Sequence, residues 1–106
     1  MKIYLSGAIA SDPEYKTKFQ KAENALKAKG HVVFNPASLP EGLTRAEYMA
    51  LNIPMLMQAD FVGLMPDWVY SEGAKIEYRL AQYVEKPTIN YDWESLGMGV
   101  KNAGQK

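Results

Sequence analysis

Cysteine is absent from the 106 residues and histidine occurs once, at His31. The first absence removes disulfides, thiol nucleophiles and thiolate-bound zinc. The second removes multi-histidine metal sites, and it leaves a Ser-His-Asp arrangement with only His31, at the start of an expected strand, to serve as base. No metal and no cofactor is expected. Charge of one sign is also lacking: 12 basic and 12 acidic residues cancel. Even non-specific nucleic-acid binding needs several phosphate-neutralising cations on one face, so no nucleic-acid partner is expected. No apolar run reaches membrane-spanning length, and the opening MKIYLSGAIA is too short for a signal peptide; a soluble, cytoplasmic protein is expected. Internal repeats, linkers and low-complexity tracts are missing as well.

What is present is an ordinary globular mixture, 47% hydrophobic and 23% charged. It suits one domain over residues 1–106, with a core over 1–91 and a tail over 92–106. Lys2 to Ser6 reads as a strand ending at Gly7, followed by the small-residue loop Gly7-Ala8-Ile9-Ala10. Asp12 offers an N-cap and Pro13 a first helical position, and Tyr15, Phe19, Ala22 and Leu26 form one apolar stripe of a helix that Gly30 closes. His31 to Phe34 is a second strand, and Asn35 to Gly42 a loop rich in turn residues. Thr44-Arg45-Ala46-Glu47 fits a capping box. Pro54 predicts a kink or break between Ala50 and Pro54, because it lacks an amide proton and crowds the carbonyl of Ala50.

The run from Asp60 to Pro87 organises the rest. Phe61 to Met65 is a short apolar run bounded by Asp60 and by Pro66-Asp67, the pattern of a buried strand. From Ser71 the period turns helical, with Ile76, Leu80 and Val84 as the apolar stripe and Lys75, Arg79, Gln82 and Glu85 on the polar side. Thr88 to Tyr91 follows as a fourth strand. Four strands alternating with three helices predict an α/β fold with a parallel sheet and right-handed crossovers. The expected arrangement is a three-layer, flavodoxin- or Rossmann-like open sheet of four or five strands in order 2-1-3-4, an order that alternation alone does not fix. In such sheets ligands gather at the carboxyl ends of the strands, near free helix N-termini. Pro66 to Gly73 falls there: Ser71 can cap the helix, Gly73 lets backbone approach a ligand, and Glu77 lies about a turn and a half inside. The macrodipole favours its ionised form.

Taken alone, a Glu in the second turn of a helix is most often a solvated side chain. The whole run says more. Trp68-x-x-Ser71-x-Gly73-Ala74-x-x-Glu77-x-x-x-Ala81, behind a strand and the Pro66-Asp67 loop, resembles the nucleoside 2-deoxyribosyltransferase superfamily. Within it, the chain is nearest the small uncharacterised relatives and the 2'-deoxynucleoside 5'-phosphate N-glycosidases. The resemblance implies Glu77 as the nucleophile toward the anomeric carbon, Tyr4 as a sugar contact or an aid to Glu77, and a pocket lined by Gly7 and Ala8. Ser71 stands where the monophosphate glycosidases carry the Ser that meets the 5'-phosphate. Trp68 and Tyr70 are candidates to stack on the base, or simply to dock on the protein's own surface or at a subunit interface. Relatives assemble as homodimers or higher oligomers, and a nucleoside or nucleotide is the implied partner.

One position departs from the pattern. Eight residues before Asp60 these families usually carry an Asp that orients the nucleophile and handles the leaving base's proton; here it is Asn52. An amide cannot exchange that proton, a loss typically worth ~10²–10⁴ in rate. Asp67 is the nearest candidate substitute, since Asp60 belongs at the far end of its strand. The expected activity is N-glycosidase or deoxyribosyltransferase chemistry by retaining displacement. The alternatives are a nucleotide-binding module with weak or no turnover, and an oligomer-forming protein without a site.

Overall fold

The computed structural model describes residues 1–90, and the expected tail 92–106, with Tyr91, lies outside the described residues. Four parallel strands, β1 (Lys2–Ser6), β2 (Val32–Phe34), β3 (Phe61–Leu64) and β4 (Thr88–Asn90), form one sheet in the order β2-β1-β3-β4. Three helices connect them: α1 (Tyr15–Ala28), α2 (Arg45–Gln58) and α3 (Glu72–Tyr83). Short 3-10 turns lie at Pro36–Ser38 and Trp68–Tyr70. The order and the three layers are those expected, with four strands among the described residues.

Strand alternation builds the two cores. Successive side chains of a strand point to opposite faces. On β1, Ile3 and Leu5 join Phe19, Ala22 and Leu26 of α1 with Met65, whereas Tyr4 faces the other way, toward Leu56 of α2 and Ala81 of α3. The chain thus passes from β1 through α1 to one side of the sheet, then returns past β1 to β3 with α2 and α3 on the other. Between β1 and β3 the winding reverses, and a crevice at the carboxyl edge is the usual consequence.

Three local expectations need correction. Helix α1 begins at Tyr15, and Asp12 is no N-cap: its carboxylate accepts the Glu14 amide at 2.8 Å and pairs with Lys18, holding a turn ahead of the helix. Of the kink or break expected at Pro54, the break is absent: α2 runs unbroken from Arg45 to Gln58 behind the expected Thr44–Glu47 capping box. The lost amide donor leaves the rest of the ladder intact, and the packing of Asn52 and Leu56 anchors the helix on both sides of the proline. On α3 the buried face is Ala74, Glu77 and Ala81, and Ile76 is exposed. Small residues let this helix lie close on the sheet, so the stripe that meets the core is the one carrying a glutamate.

Candidate active site

Helix α3 starts where expected: the Ser71 hydroxyl accepts the Ala74 amide at 3.1 Å. From that start Glu77 points inward, to the carboxyl end of β1. The Tyr4 hydroxyl donates to Glu77 Oε2 at 2.9 Å and the Ser6 hydroxyl to Oε1 at 2.7 Å. Tyr4 and Ser6 reach the same carboxylate because they sit two apart on one strand and share its face. The side chain of Asn52, from α2, is the third polar group acting on the carboxylate. The four residues span three elements.

Glu77 is 5% exposed, so it is not the solvated side chain that a Glu in the second turn of a helix most often is. Burial pushes its pKa above the ordinary value, while hydrogen bonds from Ser6, Tyr4 and Asn52 pull it back only in part. Among the described residues no ion pair reaches it. The sequence missed this because hydropathy treats every glutamate as a surface residue; the two hydroxyl donors, with the Asn52 side chain beside them, are what make its burial tolerable. Tyr4 is itself raised well above its usual pKa by burial, and next by the Glu77 charge, so its phenol keeps its proton and remains a donor.

Ser6 was not anticipated. Its signal was available: a polar residue two positions after Tyr4, at the carboxyl end of the strand, shares the face that Tyr4 occupies. Ser6→Ala removes a buried hydrogen bond to an ionisable group and is expected to cost about 1.5–3 kcal/mol. The cost should be larger at pH 8 than at pH 5, since the hydroxyl favours the charged carboxylate and lowers its folded-state pKa. Denaturant melts at the two pH values measure it; equal costs would contradict the assignment.

The other expected residues lie around this group without all touching it. Gly7 follows Ser6, and a Cβ there would fall 2.5 Å from Met65 Cβ, so the β1 and β3 ends close on each other only with glycine. The Ala8 amide donates to Asp67 Oδ1 at 3.1 Å, and Asp67 also pairs with Lys18, which further bonds Asp12 and the Ala8 carbonyl. Asp67 therefore ties two loops together, and its carboxylate is occupied by partners other than Glu77. Trp68 packs against Tyr78 with ring centroids 4.7 Å apart and planes tilted by 35°, while Tyr70 is 80% exposed. Gly73 has room for a methyl group, its nearest neighbour being Met49 Cε at 3.6 Å, so the folded chain does not itself demand glycine there. Asp60 lies at the opposite end of the sheet and accepts the Lys2 amide at 2.7 Å.

A depression of about 240 Å³ lined by Lys16, Gln20, Asn35, Ala37, Ser38 and Leu39 includes none of the residues around Glu77. Asn35 is engaged there in capping the Pro36–Ser38 turn and in bonding Glu23, which gives the loop after β2 a structural role. The buried carboxylate, with its hydroxyl donors, is the more specific chemistry. Among the described residues no group of three or more His, Asp or Glu gathers as a metal site, and no helix is long and apolar enough to cross a membrane.

Residues 1–90 match a family described as "Domain of unknown function (DUF4406)". The chain belongs to the DUF4406 family. That family stands within the nucleoside 2-deoxyribosyltransferase superfamily, in agreement with the resemblance of the Trp68–Ala81 run. A solved 2-deoxyribosyltransferase from the psychrotolerant bacterium Bacillus psychrosaccharolyticus has the same fold. The TM-score is 0.66 at 24% identity, covering 83% of this chain and 69% of that one. At that identity the likeness is one of architecture. That enzyme is described as a biocatalyst for the synthesis of antiviral and antitumoral nucleosides. No curated protein matches the chain. In this DUF4406 chain, then, the four-residue cluster sits at the β1/β3 reversal of a nucleoside deoxyribosyltransferase-like fold.

Proposed function

We propose that the chain acts on a nucleoside or nucleoside 5'-monophosphate by retaining displacement at C1', as an N-glycosidase or deoxyribosyltransferase-like enzyme. The observation that carries this reading is the buried Glu77 carboxylate with one hydroxyl donor on each oxygen. Such a group is held in one orientation, and the relatives of this fold include a nucleoside-processing enzyme. One carboxylate oxygen bonds to C1', the C1'–N bond breaks, and its electron pair leaves with the base. Water or a second base then takes the sugar. Tyr4 and Ser6 hold the carboxylate; Ser71 at the start of α3 is the group for a 5'-phosphate, where helix amides also favour an anion. Gly7, Ala8, Asp67, Trp68 and Gly73 form the surrounding wall.

Incubation with each deoxynucleoside, each ribonucleoside and their 5'-monophosphates is expected to release free base, detected by chromatography. No release from any of them at high enzyme concentration would refute turnover. A second reading is favoured by Asn52, which cannot supply a proton to the leaving base: a nucleotide-binding module with little or no turnover. It predicts a ligand-induced rise in melting temperature without product. The proposal extends to one domain over residues 1–106 working in the cytoplasm as a homodimer or higher oligomer. Exposed Leu51, Met57, Ile76 and Tyr83 offer apolar surface for a second copy.

A further inference from the structure

The amide oxygen of Asn52 is the odd atom of the cluster. The residue is 8% exposed, and its Oδ1 is buried with no hydrogen-bond partner among the described residues. A buried acceptor left unpaired costs roughly 1–3 kcal/mol, so such an atom in a native fold calls for an explanation. Its orientation follows from its neighbour. The Glu77 carboxylate accepts, so the amide offers it the NH2 side, and the oxygen is turned elsewhere.

Stereochemistry says what that oxygen can meet. A carboxylate displacing the base of a β-nucleoside attacks C1' from the face opposite the base. On that face of a ribonucleoside lies the 2'-hydroxyl, one carbon from the centre attacked. A side chain flanking the nucleophile on that face therefore lies beside the 2' position. Both Glu77 oxygens already receive a protein hydroxyl, and one of them must keep a lone pair for C1'. The acceptor without a competitor is Asn52 Oδ1.

We propose that Asn52 is a specificity-determining residue whose Oδ1 accepts a hydrogen bond from the 2'-hydroxyl, so that this site prefers ribonucleosides or ribonucleotides over their 2'-deoxy counterparts. The inference rests on the reading of Glu77 as the group facing C1'. A 2'-deoxy sugar presents only C–H there and leaves the amide oxygen unpaired. Discrimination by a buried polar group left without its partner is stronger than discrimination by size.

The test is a set of dissociation constants, measured calorimetrically on the intact protein at low temperature. The ligands are one 5'-monophosphate in three forms: ribo, 2'-deoxy, and 2'-fluoro-2'-deoxy in the ribo configuration, which fills the position without donating a proton. The ribo form is expected to bind about tenfold more tightly than either of the others. Asn52→Leu should bring the ribo-to-deoxy ratio close to one, chiefly by weakening the ribo form. Equal binding of the ribo and deoxy forms by the unaltered protein overturns the proposal. So does a 2'-fluoro ligand that binds like the ribo form, which needs no variant to fold, or a ratio preserved in Asn52→Leu. Those results leave the glycosyl-transfer reading standing. Failure of all three ligands to bind, with no base released, removes both.

Discussion

Glu77→Gln is expected to lower base release by about 10⁴-fold or more while making the protein more stable at pH 8. The two signs come from one fact. The side chain is buried, and burial holds its pKa above the ordinary 4.5, so the ionised form needed to attack C1' is the form the fold tolerates least. Removing a covalent nucleophile leaves only the rate supplied by binding and orientation. Glutamine keeps the shape and one acceptor, and the Tyr4 and Ser6 hydroxyls can rotate to accept from its NH2.

The pH dependence fixes the sign. Between the ordinary pKa and the raised folded-state pKa, the native state binds more protons than the unfolded one, so stability falls as pH rises through that window. The wild-type protein should lose stability there relative to Glu77→Gln, and the two should converge toward pH 4.5 and below. Activity runs the other way. Base release should rise with pH on an acid limb lying above the range of an ordinary glutamate. Urea melts at several pH values and a pH–rate profile measure the two trends. A variant less stable than wild type at pH 8, or one retaining more than a tenth of the activity, would remove the role given to Glu77.

Gly7→Ala carries the largest expected stability loss. Its methyl group would sit 2.5 Å from Met65 Cβ and 2.7 Å from Met65 Cγ, and Met65 is fully buried in the core against α1. The first of these atoms is fixed to the backbone, so rotamer change cannot relieve it. Relief requires parting β1 from β3 just beyond the Ser6–Leu64 pair, where the Met65 amide donates to the Ser6 carbonyl at 2.7 Å. Overpacking of this kind costs about 3 kcal/mol, or a fall of about 15 °C in melting temperature for a domain of this size. Because the same shift moves Ser6, activity should fall beyond what unfolding explains. Gly73→Ala is the control: the added methyl meets ordinary contacts, and alanine favours a helix over glycine by up to about 1 kcal/mol. A melting temperature for Gly7→Ala within 3 °C of wild type would show that the strand ends are looser than drawn.

Much of this could be read beforehand. The strand–helix alternation, the capping box at Thr44 and the cap at Ser71 follow from local rules, each visible within a few residues. The run from Trp68 to Ala81 carried the family. The misses share a cause. Asp12 looked like a cap because capping residues and turn residues are the same residues, and Lys18, six positions on, joins it in a cluster with Asp67. Ile76 looked buried because bulky apolar residues mark a core face, whereas this helix approaches its sheet through two alanines and a glutamate.

By itself the sequence determined the fold, since hydrophobic period and turn chemistry are local properties, and it determined that Glu77 would stand near the start of a helix at the carboxyl edge of the sheet. Only the tertiary structure decided what surrounds that carboxylate. Tyr4 and Ser6 come from residues more than seventy positions away, Asn52 from another helix, and burial shifts the group against the charge its helix would favour. Proton affinity depends on every neighbour within a few ångströms, and which residues become neighbours is settled by packing.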